Sequence, residues 1–291
     1  MLAEKKERMC SKVLCSQICF LSPSTRTRLS FGSAFNLLGG QVQDIVDSAQ
    51  SSLSKGESLY DCAKMIDHYS DVAVIRHPQE GSALTFANAC DIPVINGGDG
   101  SHQHPTQALL DLYTIEQELS KKEKSIDGLH IALVGDLKYS RTIHSLIELL
   151  CHYNHVRFTL ISPPELPLGE TWLNAIEQAK HSFIMQQHFD DALNDVDIIY
   201  VTRIQEERFP NPEQAKQAQG KLTLNRKIYE TYATSGASIL HPLPRHAGAH
   251  ANELDQDLNT HPNLAIFRQA QHGLALRMAL FAMILGVKIR Y

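Results

Sequence analysis

The chain has no CxxC pair. Its six cysteines, Cys10, Cys15, Cys19, Cys62, Cys90 and Cys151, are scattered, mostly in apolar runs. That spacing argues against a zinc knuckle or a thioredoxin-type centre and points to reduced, buried thiols of the kind expected in the cytoplasm. Excess positive charge is also missing. With 27 Lys and Arg against 32 Asp and Glu, the formal net charge is -5 and the pI about 6.3. Nothing in that balance suggests a nucleic-acid or other polyanion partner. No apolar run is long enough to span a bilayer, and residues 1–12 are charged without the apolar core of a signal peptide. Neither GxGxxG nor a P-loop occurs, so the strand and glycine turn of His130–Asp136 do not read as a nucleotide site. Internal repeats and low-complexity tracts are absent as well.

What is present is an alternation. Strand-like runs at 13–21, 42–46, 72–76, 93–96, 130–135, 157–162, 197–202 and 238–241 alternate with helical patterns near 27–38, 58–69, 82–89, 105–119, 141–153, 171–181, 226–232 and 273–285. Such alternation predicts an α/β fold with mainly parallel sheets flanked by helices. The 291 residues suffice for one large or two medium domains. The polar stretch Ser120–Asp127 is the best linker candidate. It divides the chain into residues 1–119, joined by a C-terminal helix over 273–291, and residues 125–272.

In such folds ligands gather at the carboxyl ends of strands, and the polar clusters of this sequence fall there. Ser24-Thr25-Arg26-Thr27-Arg28 follows the first strand and opens a helix whose apolar face would be Leu29, Phe31, Ala34, Phe35 and Leu38. First-turn amides have no intrahelical acceptor and carry the positive end of the helix dipole. With Ser24 as a cap, two threonine hydroxyls and two guanidinium forks, the turn suits phosphate or carboxylate. It also fits a solvated basic helix start. The loop 51–57, with Ser52, Lys55 and Glu57, reads as an exposed loop or as a mobile arm bringing a hydroxyl and an ammonium to an anion.

Arg76 ends the apolar strand Val72–Ile75. In the glycine-rich run 96–107, Pro105 opens a helix with His104 and Gln107 three residues apart, one suited to polarising a carbonyl and the other to accepting from an amide. His102 and His104 lack a third ligand at metal spacing. Arg141, Thr202-Arg203-Ile204-Gln205 and His241-Pro242-Leu243-Pro244-Arg245 follow later strands, and the two prolines leave carbonyls available to a ligand amine. Arg26, Arg28, Arg76, Arg141, Arg203 and Arg245 together describe a cation-lined cleft between two domains, built for small, multiply anionic substrates.

With these motifs assembled, the chain resembles the catalytic chains of the aspartate carbamoyltransferase family over nearly its whole length. STRTR, SxxKGE, RHPQEG, GDGSxQHPTQ, VGDLKYxRTxHS, TRxQxER and HPLPR occur in that family's order. The resemblance implies carbamoyl transfer from carbamoyl phosphate to L-aspartate in pyrimidine biosynthesis, without metal or cofactor. It implies that Ser24, Thr25, Arg26 and Thr27 hold the phosphate. Arg76, His104 and Thr27 would contact the carbamoyl oxygen, and Gln107 its amino group. Arg141 and Arg203, helped by Gln205, would grip the aspartate carboxylates, and the carbonyls of Pro242 and Leu243 would receive the amines. Ser52 and Lys55 would come from a neighbouring subunit, making a cytoplasmic homotrimer with shared active sites, to which regulatory chains could add.

Three features depart from the family pattern. Residues 1–12 leave little of the usual long helix before the first strand, which implies a looser hinge. Ser22 stands where a glutamate is usual. His246–His250 intervene after HPLPR, with Glu253 as the displaced counterpart of the family's acidic residue. Three alternatives carry different expectations. An ornithine-specific relative typically has a cysteine where Pro242 stands. A catalytically weakened scaffold would be free to lose its ligand contacts. A solute-binding protein would need an export signal.

Overall fold

A computed structural model describes residues 14–20, 24–46, 55–100, 103–205, 222–246 and 252–286. Ser22, Ser52, His102, residues 206–208 of TRxQxER and residues 247–250 lie outside these, as do residues 1–12. Chain packing separates two compact units, Met1–His102 with Leu274–Tyr291, and Gln103–Gly273.

The first unit contains β1 (Cys15–Phe20), α1 (Thr25–Leu37), β2 (Gln41–Val46), α2 (Leu59–Tyr69), β3 (Val72–His77), α3 (Ser82–Ala89) and β4 (Val94–Asp99). Its sheet runs β2-β1-β3-β4 with every pair parallel. Val72, Ala73, Val74 and Ile75 are wholly buried, as an unbroken apolar run demands when helices cover both sheet faces. One face packs against Phe31 and Phe35 of α1, whose rings meet Phe281 edge-on at 5.8 and 4.8 Å. The other packs against Ala63 and Ile66 of α2 and Phe86 of α3. Burying such aromatic and branched side chains contributes about 2 kcal/mol each. Leu29 does not join this face as expected. It is 57% exposed, because two residues before Phe31 puts it about 200° around the helix.

The second unit contains α4 (Pro105–Ser120), β5 (His130–Val134), α5 (Arg141–Leu150), β6 (Arg157–Ile161), α6 (Glu170–Gln178), β7 (Ser182–Gln186), β8 (Ile198–Val201), α7 (Arg226–Tyr232) and β9 (Ser238–Leu240). The sheet runs β7-β6-β5-β8-β9, again all parallel. A last helix, α8 (Ile266–Leu285), begins in this unit and ends in the first.

Two elements differ from expectation. β7 is an edge strand whose apolar run, Phe183 to Met185, is only three residues long and largely exposed. α8 starts at Ile266 rather than 273 because polar contacts hold its first turns: Arg268 donates twice to Glu118 at 2.9 Å, and Gln269 reaches Asp111 at 2.6 Å. The stretch Ser120–Asp127 falls inside the second unit, where Lys122 donates to Gly236 O at 2.7 Å and Lys124 pairs with Asp197. Cys15, Cys62, Cys90 and Cys151 are free thiols. Cys62 is buried, but Cys15, Cys90 and Cys151 are only half-buried, since each lies at an element's margin rather than in its core.

In each sheet the strand order reverses beside the strand that enters first, β1 in one and β5 in the other. The carboxyl end of such a strand is where an α/β sheet opens a crevice.

Candidate active site

In the first unit the crevice end is cationic. Ser24 sits at the N-cap of α1 with extended backbone, but its side chain makes no capping hydrogen bond. Capping was expected of it; the hydroxyl is instead left to other work beside first-turn amides that have no helical acceptor. Thr25 and Arg26 are exposed and Thr27 is buried. Arg76, at the end of β3 and paired in register with Phe20 of β1, donates to Gly97 O at 3.0 Å. The register of β3 and β4 slips at this residue, where two glycines of β4 face one residue of β3.

Burial first, and then the charge of Arg26, pulls the Arg76 guanidinium down to about 10. Arg26 is itself lowered by burial. An anion bound beside both would favour their charged forms. Arg28 does not join them: it pairs with Asp44 of β2 at 3.3 Å. The loop behind Arg76 is braced by Asp99, which accepts from Gly81 N at 3.2 Å and from Asn96 Nδ2 at 3.2 Å. Lys55 is exposed in the turn before α2.

In the second unit three loops converge, because β5, β8 and β9 are neighbours. Arg141 is the first residue of α5, five residues from the buried Asp136 that follows β5. Asp136 accepts from Tyr139 N at 2.8 Å and from Gln205 N at 3.2 Å, and Gln205 Nε2 donates to Tyr139 O at 3.1 Å. The Arg141 loop and the Arg203–Gln205 loop are therefore fastened together. Gly135 makes this possible. Its φ is +109°, and a Cβ there would stand 2.3 Å from Thr202 O. Arg203 Nη1 donates to Ile204 O at 3.3 Å.

The third loop carries Pro242 and Leu243. Leu243 holds a φ of 57°, uncommon for a branched side chain, and its N–H donates to His241 Nδ1 at 2.8 Å. His241 Nε2 meets Glu253 at 2.8 Å, and Glu253 also accepts from His246 N at 3.0 Å. Burial lowers the His241 imidazole against the opposing pull of Glu253, and the charges of Arg245 and Arg203 lower it further. Arg245 is held by Asn259 and by Asp255 O.

His104 caps α4 and is buried, and its N–H points to Ser145 Oγ at 3.4 Å. One turn on, Gln107 Nε2 donates to Asp111 at 2.8 Å. Chain packing groups both residues with the second unit. Ser52 lies outside the described residues. Among those described, no three His, Cys, Asp or Glu side chains gather as a metal ion requires. No helix there is long and apolar enough to cross a membrane. Sequence reasoning missed Asp111, Asp136, Tyr200 and Gln269. A signal existed for two: Asp136 is a charge closing an apolar strand, and Asp111 lies one turn from Gln107.

Comparison with known proteins shows the family to which both halves of the chain are similar. Residues 2–117 match the family model described as aspartate/ornithine carbamoyltransferase, carbamoyl-P binding domain. Residues 127–284 match the one described as aspartate/ornithine carbamoyltransferase, Asp/Orn binding domain. The aspartate carbamoyltransferase catalytic subunit of Cellvibrio japonicus is 53% identical over 268 residues, covering 92% of this chain and 79% of the relative. Among solved structures, the catalytic subunit of M. jannaschii aspartate transcarbamoylase aligns with a TM-score of 0.84 and 39% identity, over 98% of this chain and 90% of that one. The Trypanosoma cruzi aspartate transcarbamoylase in complex with N-(phosphonacetyl)-L-aspartic acid aligns at 0.83 and 33%, over 96% and 86%.

Proposed function

The chain belongs to the aspartate/ornithine carbamoyltransferase family, and on that premise we propose that it transfers the carbamoyl group of carbamoyl phosphate to the amine of L-aspartate, giving N-carbamoyl-L-aspartate and phosphate. The observation that carries this reading is the Arg26–Arg76 pair. Burial, and after it the charge of Arg26, lowers the Arg76 guanidinium, and a bound anion would act in the opposite sense. Ser24, Thr25, Arg26 and Thr27 hold the phosphate, with Ser52 and Lys55 from a second copy. Arg76, His104 and Thr27 donate to the carbamoyl oxygen, and Gln107 accepts from its amino group. Arg141, Arg203, Gln205 and Lys55 bind the aspartate carboxylates, and the carbonyls of Pro242 and Leu243 take the amine.

The neutral amine attacks the carbamoyl carbon, forming the C–N bond while the carbonyl pair moves onto oxygen. Thr27, Arg76 and His104 are the donors for that oxyanion, and one such donor is worth roughly 3 kcal/mol. Collapse breaks the bond to the phosphate oxygen, and the departing phosphate takes the amine proton. Holding two mutually repelling anions in contact supplies much of the remaining acceleration. Chemistry of this kind needs neither metal nor cofactor.

Aspartate is favoured over ornithine because the loops after β5 and β8 supply the cations Arg141 and Arg203. Asp136 is buried and engaged by two backbone amides. The working particle on this reading is a cytoplasmic homotrimer that shares its sites. Regulatory chains would enlarge it.

The test is phosphate release from carbamoyl phosphate offered with aspartate or with ornithine, alongside the native mass. Release with aspartate alone is expected. Release with ornithine alone overturns the choice of acceptor. Mixed Lys55→Ala and Arg76→Ala chains should recover part of the activity, and a self-contained protomer would not.

A further inference from the structure

The buried carboxylate of Asp111 receives three donors. Gln107 Nε2 lies 2.8 Å from Oδ1, Gln269 Nε2 lies 2.6 Å from the same oxygen, and the Tyr200 hydroxyl lies 2.6 Å from Oδ2. Asp111 and Tyr200 are fully buried, and Gln107 and Gln269 nearly so. A glutamine amide is a two-faced group, with a carbonyl on one branch and an NH2 on the other, and its environment decides which way it turns. An ionised carboxylate can only accept. A glutamine beside one must therefore present its NH2 there and its oxygen elsewhere.

We propose that Asp111 is a positioning residue for carbamoyl transfer. By holding the Gln107 NH2, it turns the Gln107 carbonyl oxygen toward the substrate as a fixed acceptor, and so selects an acyl phosphate bearing N–H groups over one bearing a methyl. This rests on the reading that Gln107 faces the carbamoyl amino group.

The other two donors strengthen the arrangement. The Tyr200 phenol is held well above its ordinary range, first by burial and then by the Asp111 charge, so it keeps the proton it donates. Gln269 is polarised in the same way. Its NH2 goes to Asp111, and its Oε1 accepts from the His241 N–H at 2.9 Å. His241 in turn holds the Leu243 N–H. One carboxylate thus sets the acceptor for the carbamoyl amine and braces the loop whose carbonyls take the aspartate amine. Without the charge, both amides could reverse. A reversed Gln107 would meet the substrate NH2 with its own NH2, donor against donor.

The experiment is a comparison of substrates in the full chain. Carbamoyl phosphate and acetyl phosphate share the phosphate and the acyl oxygen, and differ where Gln107 reads. The ratio of their kcat/KM values, with aspartate as acceptor, is measured for the unaltered protein, Gln107→Ala and Asp111→Asn. The preference for carbamoyl phosphate should fall at least tenfold in both variants. A merely structural Asp111 would lower both rates together and leave the ratio alone. In the double variant Asp111→Asn/Gln107→Glu the new side chain presents only oxygens, so the preference should return, though turnover stays low.

No carbamoyl aspartate from the unaltered protein overturns the activity, and this inference with it. Normal activity together with an unchanged ratio in Asp111→Asn overturns the inference alone. Should Asp111→Asn fail to fold, neutron diffraction from the unaltered protein decides. Deuterons of the Gln107 amide facing Asp111 support the assignment, and its oxygen facing Asp111 overturns it.

Discussion

The two units solve the same topological problem with opposite electrostatics. Each has a parallel sheet whose order reverses beside its first strand, and each puts an arginine in the opening turn of the next helix, Arg26 in α1 and Arg141 in α5. In the first unit the cations stand against each other, and burial with the charge of Arg26 pulls Arg76 down to about 10. In the second unit buried acids are threaded between the loops: Asp136 joins two of them, while Glu253 and Asp111 brace the third. A concentrated positive pair attracts one compact, highly charged group without much regard to its shape. Loops locked by buried carboxylates hold separate contacts at fixed spacing, which suits a ligand read at several points.

Arg76→Ala is the harshest way to break this comparison. Removing a donor from where charge develops should lower kcat by a hundredfold or more. Arg28→Ala is its control. Arg28 pairs with Asp44 in a partly exposed bridge, so steady-state rates should change less than tenfold. Equal losses in the two variants would dissolve the distinction drawn between these arginines. In the second unit Arg203→Ala should act on aspartate rather than on turnover. Losing a charge-assisted contact of about 2 kcal/mol should raise the aspartate KM roughly thirtyfold. An unaltered aspartate saturation curve would remove Arg203 from the site.

Gly135→Ala tests the fastening between loops. A Cβ 2.3 Å from Thr202 O on a backbone at φ +109° should cost about 2 kcal/mol or more, read as a Tm lower by several degrees. An unchanged Tm would mean that the loops do not need this close approach.

The smallest effect is on pH dependence. His241 is lowered in the folded protein, chiefly by burial. A depressed imidazole contributes stability that is fully present above its unfolded value near 6.5. That stability is lost as pH falls from there through the folded value, because the unfolded chain takes up the proton first. Denaturant midpoints should fall along this acid limb, and less steeply in His241→Gln. Identical slopes would assign the acid limb to other groups.

The strand-end positions of the cations could be read without coordinates because a short unbroken apolar run closing on a polar turn marks a strand end. Arg76, Arg141 and Arg203 were placed at or after strand ends that way. Neighbours within the site were harder. Arg28 carries the same signal as Arg26, yet its direction on α1 sends it to Asp44. Edge strand β7 escaped because its apolar run is only three residues long, and the first turns of α8 because Arg268, Gln269 and Gln271 interrupt theirs; an exposed edge and such a helix start depend on partners far along the chain. Asp111 illustrates the same limit. Its charge in an apolar helix looks like an ordinary solvated residue until Tyr200, 89 positions away, is seen to donate to it.

From residue order alone came the alternation of strands and helices, the parallel sheets, and the turns that hold the arginines, since periodicity and local backbone preference act over a few residues. Packing decided which cations oppose one another, which are neutralised by a strand or loop beyond, and which way each amide turns. Those outcomes depend on electrostatic and hydrogen-bond distances between residues remote in sequence, and such distances exist only once the chain has folded.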